Sequence, residues 1–175
     1  MLKIILYAVL VALLALLIYA ATKPDTFALQ RSITIAAPPE KLYALIQDMK
    51  AFNTWNPFAK KDPAQVVRYE GPASGLGAAY AWEGPVVGKG RMEVTEDLAP
   101  TRLAMRLDFV KPMKATHRVD FTIEPQGANS RVTWAMSGAM PYGSKLMTIF
   151  YSMDKMAGGD FESGLANLKA IAEAR

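Results

Sequence analysis

His117 is the only histidine in the chain, and imidazole is the side chain best suited to moving a proton near neutral pH. It shares strand parity with Val119 and Phe121, which aims it toward the mouth of an interior space where it could serve as an acid or base. A lone histidine beside Lys114 and Arg118 is more often a structural or exposed group. A zinc site would need further histidine or cysteine ligands. The sequence has neither a second histidine nor any cysteine, so no metal and no cofactor are expected. The absence of cysteine also removes disulfides and thiolate nucleophiles from consideration. Gly143-Ser144-Lys145 lacks the Gly-x-Ser-x-Gly context of an acyl-transfer serine. Gly75-Leu76-Gly77 is followed by a strand pattern, not by Gly-Lys-Ser/Thr and a helix, so it reads as a turn. Glu93 and Glu96 carry little weight as an acid–base pair among sixteen acidic residues. Arg31 lies on the apolar parity of its segment, and a buried guanidinium requires a carboxylate. Glu83, Glu93 and Asp120 are its candidates, with contact to the polar end of a ligand as the other role. No constellation identifies a reaction, and no catalytic residue is assigned.

Apolar and aromatic side chains carry more information. Tyr80 and Trp82 share one strand face, as do Met92 and Val94. The same parity groups Leu103, Met105, Leu107 and Phe109, then Val119, Phe121 and Ile123, then Val132, Trp134 and Met136. The alternate positions carry Arg102, Arg106, Asp108, Arg118, Asp120, Glu124 and Arg131. Each segment thus has one wet face and one dry face, the signature of a sheet buried on one side. Any such sheet needs a core, but methionine and large aromatics also suit an adaptable apolar site. The expected lining is Tyr80, Trp82, Met92, Met105, Phe109, Phe121, Trp134, Met136 and Met153, with the tyrosine hydroxyl and the indole N–H available to orient a polar group.

Those positions sit on a legible series of elements. Phe27–Ile35 alternates as a strand. Pro38-Pro39-Glu40 opens a helix whose buried face is Leu42, Leu45, Ile46 and Met49. A second short piece runs through Phe52 and Trp55 and ends at Asn56-Pro57. Strands follow at about Gln65–Tyr69, Ala78–Glu83, Lys89–Glu96, Arg102–Val110, Thr116–Glu124 and Arg131–Gly138, divided by glycine and proline. The closing segment, about Tyr142–Ala174, returns to helical spacing, with Gly158-Gly159 suggesting a kink or a close backbone contact. A single long helix can cover only one concave face of such a sheet. The expected fold is α+β, a helix-grip arrangement in which a curved antiparallel sheet wraps around a long C-terminal helix.

In front of this domain stand eighteen uninterrupted apolar or small residues, Ile4 to Ala21. As a helix they extend about 27 Å, close to the hydrocarbon thickness of a bilayer. Tyr19 or Ile18 would fall at the −3 position of a signal cleavage, which fits such a site poorly. The expected organisation is a transmembrane anchor over 1–22, a linker over 23–26 and one domain over 27–175. Lys3 precedes the span, and Lys23 is offset by Asp25, so the charge bias favours a cytoplasmic N-terminus and a periplasmic domain at a bacterial inner membrane. The net charge of +4 is scattered, and no basic stripe argues for nucleic acid.

Four motifs occur in one order. Phe27-x-x-x-Arg31-Ser32-Ile33-x-Ile35-x-Ala37-Pro38-Pro39-Glu40 is followed by Trp55-Asn56-Pro57-Phe58. Gly71-Pro72-x-x-Gly75-x-Gly77-x-x-Tyr80-x-Trp82-x-Gly84 comes next, then Asp160-Phe161-Glu162-x-Gly164-Leu165-x-Asn167-Leu168-Lys169. Together they resemble the START-like, or polyketide cyclase/dehydrase and lipid-transport (SRPBCC), superfamily over about residues 27–172. The resemblance implies a helix-grip fold around a hydrophobic cavity for lipids, isoprenoids or polyketide-like molecules. The expectation is membrane-tethered binding or transfer of such a ligand. A cyclase-like enzyme using the same cavity, or a regulatory module whose cavity is filled by its own side chains, are the alternatives.

Overall fold

Seven strands pair antiparallel in the order β1-β7-β6-β5-β4-β3-β2 in the computed structural model, which describes residues 1–150 and 152–174. They are β1 Thr26–Ile35, β2 Val66–Glu70, β3 Ala79–Gly84, β4 Gly88–Leu98, β5 Arg102–Lys111, β6 Ala115–Gln126 and β7 Asn129–Ala139. The period-2 sequence pattern located every one within a residue or two, because parity against a buried face is a local property. The β4–β5 pairing shifts register at Val94/Glu96, and such bulges bend a sheet.

The concave face is covered by α2 Pro39–Gln47, α3 Met49–Trp55, a 3₁₀ turn Pro57–Lys60 and α5 Gly159–Glu173. α2 begins with proline in its first turn and buries Leu42, Tyr43 and Ile46. α3 is capped by Asp48, whose carboxylate accepts from Lys50 N at 2.7 Å and Ala51 N at 3.1 Å. Tyr43 donates to Asp97 and so ties α2 to β4. Asn167 of α5 donates to Trp55 O at 3.1 Å, which locks α5 onto α3. Gly164 permits this approach, since a Cβ there would lie 2.7 Å from the Trp134 ring and 2.9 Å from Pro57.

The closing segment is not one helix. α4 Tyr142–Phe150 packs on α1 Leu2–Ala21, and a π-helical turn, Asp154–Gly158, leads directly into α5. The part of the expected helix that crosses Tyr151 lies outside the described residues, as does the last residue of the expected domain, Arg175. The apolar positions of this stretch serve different neighbours: Phe161, Leu165 and Leu168 are fully buried, whereas Phe150 and Met156 are exposed. A spacing rule reads one helix through both halves because it does not register the change of partner. Gly158 makes the close contact anticipated for the glycine pair, with Arg31 Nη2 only 2.5 Å from where a Cβ would stand. Nothing approaches the corresponding position at Gly159.

Helix α1 has twenty residues, is long and apolar enough to cross a membrane, and lies almost wholly outside the packed domain.

Candidate functional site

Between the concave sheet face, α3, the 3₁₀ turn and the π-helical turn lies a cavity of about 380 Å³. Tyr80, Trp82, Met92, Phe109, His117, Trp134, Met136 and Met153 all line it. Phe52, Asn56, Phe58, Leu107, Val119, Met156 and Phe161 complete most of the wall. The sheet residues converge because Tyr80 opposes Met92, Leu107 opposes His117 and Val119 opposes Met136 across the ladder.

Met105 and Phe121, expected among the lining, are not part of this wall. Both are fully buried in solid core. They sit farther along the sheet, where α2 packs against β6. Phe121 stacks on Trp134 at 5.3 Å, and Phe52 and Trp55 meet it edge-on. Trp134 is in turn stacked on Phe161 at 4.1 Å, so one indole closes the core on one side and walls the cavity on the other. Strand parity separates the inner face from the outer but does not say where along that face a covering helix leaves space.

Arg31 also stands outside the cavity. Its Nη2 meets Asp154 at 2.5 Å and its Nε meets Glu162 at 2.7 Å. The expected partners are engaged elsewhere: Glu83 with Lys89, Glu93 with Arg91 and Arg106, and Asp120 with Arg102 and Arg118. Those three carboxylates belong to the wet face, while Arg31 lies on the inner parity of an edge strand beneath the π-helical turn. The arginine therefore pins that turn to β1.

Several polar groups at the cavity are already engaged. The Tyr80 hydroxyl accepts from Asn56 Nδ2 at 3.2 Å, and burial pushes its pKa well above the usual phenol range. The Trp82 indole N–H donates to Val87 O at 3.3 Å and so braces the β3–β4 hairpin, and the ring lies flat over Gly90 where a Cβ would collide with it. His117 is held edge-on by Phe27 at 4.9 Å and by Phe109 at 5.7 Å. Its Nδ1 is packed against Gly138 with no hydrogen-bond partner, and burial depresses its pKa below the ordinary imidazole value.

Two residues at the mouth do more than their types suggest. Asp62 is buried and accepts from the backbone N–H of Val86 at 2.8 Å, Val87 at 3.2 Å and Ala64 at 3.2 Å. Desolvation is the largest single influence on this carboxyl and raises its pKa, yet the three donors together outweigh it and hold the pKa below the usual aspartate value. An aspartate before proline at a turn is the only sequence signal for this role. Asp160, which follows the glycine pair, bridges to Lys61 at 2.6 Å and clasps the start of α5 to the 3₁₀ turn. Among the described residues no cluster of histidine and carboxylate side chains could hold a metal ion.

The site thus offers an apolar, partly enclosed volume with few free polar groups. Its chemistry is desolvation: each Å² of apolar ligand surface removed from water contributes about 25 cal/mol. The volume lies toward the small end of ligand sites, which span about 300–1,000 Å³.

Fold and cavity together define a helix-grip protein with an internal apolar chamber. Residues 26–173 match the family described as polyketide cyclase / dehydrase and lipid transport, and the chain belongs to that family. No curated protein matches it. Among solved structures, a protein of Chromobacterium violaceum is similar with a TM-score of 0.61 at 16% identity, over 87% of this chain and 100% of that one. The Aha1 dimer from Colwellia psychrerythraea aligns with a TM-score of 0.58 at 18% identity, over 84% of this chain and 96% of that one. DynU16, from the dynemicin biosynthetic locus, aligns with a TM-score of 0.57 at 16% identity, over 87% of this chain and 48% of that one. At these identities the likeness speaks for the fold alone.

Proposed function

We propose that this protein binds or transfers a hydrophobic small molecule in its internal cavity while α1 holds the domain at a membrane. The observation that carries this reading is the apolar chamber of about 380 Å³, walled by residues from nine different elements. Its size argues against an interior closed by its own side chains. Among the described residues no nucleophile and base meet along the wall, which favours binding or transfer over cyclisation. The ligand-contact residues in this reading are Tyr80, Trp82, Met92, Phe109, Trp134, Met136 and Met153, with His117 at the edge of the chamber.

The tether is supported by how α1 meets the domain. Tyr142 donates to Leu17 O at 2.9 Å, and Lys145 Nζ pairs with Asp25 at 2.6 Å just beyond the end of α1. A segment destined for removal has no need of the Tyr142–Leu17 contact, so the anchor is taken as retained. The weak charge asymmetry around the span favours a periplasmic domain. Short attachment to a bilayer raises the local concentration of membrane-dissolved ligands at the cavity.

Native mass spectrometry of the full chain, released from mild detergent after purification from its source membrane, tests the reading. A co-purifying apolar molecule that is displaced by a hydrophobic fluorescent dye is the expected result. A chain that carries nothing and binds no such dye or lipid would overturn it.

A further inference from the structure

We propose that the domain does not hang freely from its tether but lies on the bilayer through α4 and the tips of the β3–β4 and β5–β6 hairpins, an anionic lipid surface being the partner of this face. The inference rests on α1 being a membrane span. Strand register provides the geometry. Thr26 opposes Ala139, Phe109 opposes Ala115, Lys89 opposes Lys111 and Gly84 opposes Gly88. The start of β1, the end of β7 and both hairpin tips therefore share one end of the sheet, the end at which α1 joins the domain.

The helix at that end lacks an ordinary water-facing side. The only charged residue of α4, Lys145, is buried and turned onto Asp25. Tyr142, Met147 and Phe150 are left exposed with no charge among them. A helix facing water carries polar residues on its outer side; α4 presents the reverse, and exposed apolar patches mark interaction surfaces. The identity of the surface follows from depth. Tyr142 bonds to Leu17, one turn before the end of α1, about 6 Å along the helix at the usual rise. If α1 spans the hydrocarbon, that phenol sits within about 6 Å of its edge, close to the interface where tyrosine is favoured. Lys23 lies 4.9 Å over the Tyr19 ring at the same level.

The hairpin tips extend the face. Val86 on one and Met113 on the other are exposed, and Met113 is flanked by Lys111 and Lys114. Apolar side chains bordered by lysines suit insertion among anionic headgroups. Val86 and Met156 are both exposed and both line the cavity, so its mouth opens at this end. Docking sets the mouth against lipid, and a ligand passes between bilayer and chamber without crossing water.

A cysteine-free chain makes the test clean. Single cysteines at Met113 (M113C), Phe150 (F150C), Leu98 (L98C) and Leu10 (L10C), each labelled with the environment-sensitive fluorophore NBD, are reconstituted as full-length protein in vesicles of phosphatidylcholine and phosphatidylglycerol. Leu98 is exposed at the opposite end of the sheet and serves as the water reference. The expected result is a blue shift and quenching by nitroxide-bearing lipid at positions 10, 113 and 150, with none at 98. Quenching at 10 but not at 113 and 150 would overturn docking and leave the tether standing. Absence of quenching at 10 would overturn the tether, and docking with it. Blue shifts at 113 and 150 that grow with protein concentration in lipid-free detergent would assign the face to a second copy of the chain and overturn the lipid assignment.

Discussion

At the scale of single residues, His117 is the cavity-lining imidazole whose protonation burial disfavours. Its pKa is depressed because burial penalises the imidazolium, so the folded state binds fewer protons than the unfolded state as pH falls below about 6.5. Stability contributed by the neutral ring is therefore present above that pH and is lost as pH falls toward the folded pKa. An apolar ligand desolvates the ring further and lowers its pKa again. Affinity for a hydrophobic dye should thus weaken as pH falls below about 6.5, the ordinary imidazole value, and His117→Phe should flatten that profile. Superimposable pH profiles for the two proteins would exclude the coupling. The parity of His117 was legible in the sequence. Its orphaned Nδ1 was not, since Gly138, which crowds it, is a neighbour only through the β6–β7 register.

At the scale of elements, the contacts that hold helices to the sheet make separable predictions. Gly164→Ala places a methyl against the rigid rings of Trp134 and Pro57, and overpacking of this kind costs about 1–3 kcal/mol. Gly159→Ala, a helical position with nothing nearby, should be neutral or stabilise by up to about 1 kcal/mol. Denaturant midpoints of the two variants should move apart, and equal midpoints would refute the packing argument. Asp62→Ala should loosen the β3–β4 hairpin, because Val86 N and Val87 N lose their acceptor. Faster hydrogen exchange confined to those two amides and to that of Ala64 is the expected readout. The hairpin itself was readable from Gly84-Pro85 and Gly88. The aspartate that braces it, more than twenty residues earlier in the chain, was not.

At the scale of the whole molecule, the chamber and the seat of α1 can be perturbed independently. Met136→Trp should fill part of the cavity and abolish dye binding while leaving thermal stability close to that of the parent. Equal loss of both would mean that the space is only a packing defect. Asp25→Asn leaves the buried Lys145 ammonium without its counter-charge, so it should lower the melting temperature more than Lys145→Met, which removes both the charge and the need for it. The reverse order would show that the pair does not couple α1 to the domain.

By itself the sequence determined the order and type of nearly every element, the dry and wet faces of each strand, and the long apolar helix at the N-terminus. These follow from periodicity, and periodicity records how each residue stands to the solvent boundary. It also carried enough of the family's motifs for the helix-grip fold to be expected. Only the tertiary structure decided which inner-face residues meet a helix and which meet open space, so that Met105 and Phe121 became core while Trp82 and Met136 became wall. It gave Arg31 its carboxylates from the π-helical turn and α5, and it divided the closing helix between two sets of neighbours. The physical reason is common to all three: burial is written residue by residue along the chain, whereas the identity of a neighbour depends on elements that are brought together from distant parts of it.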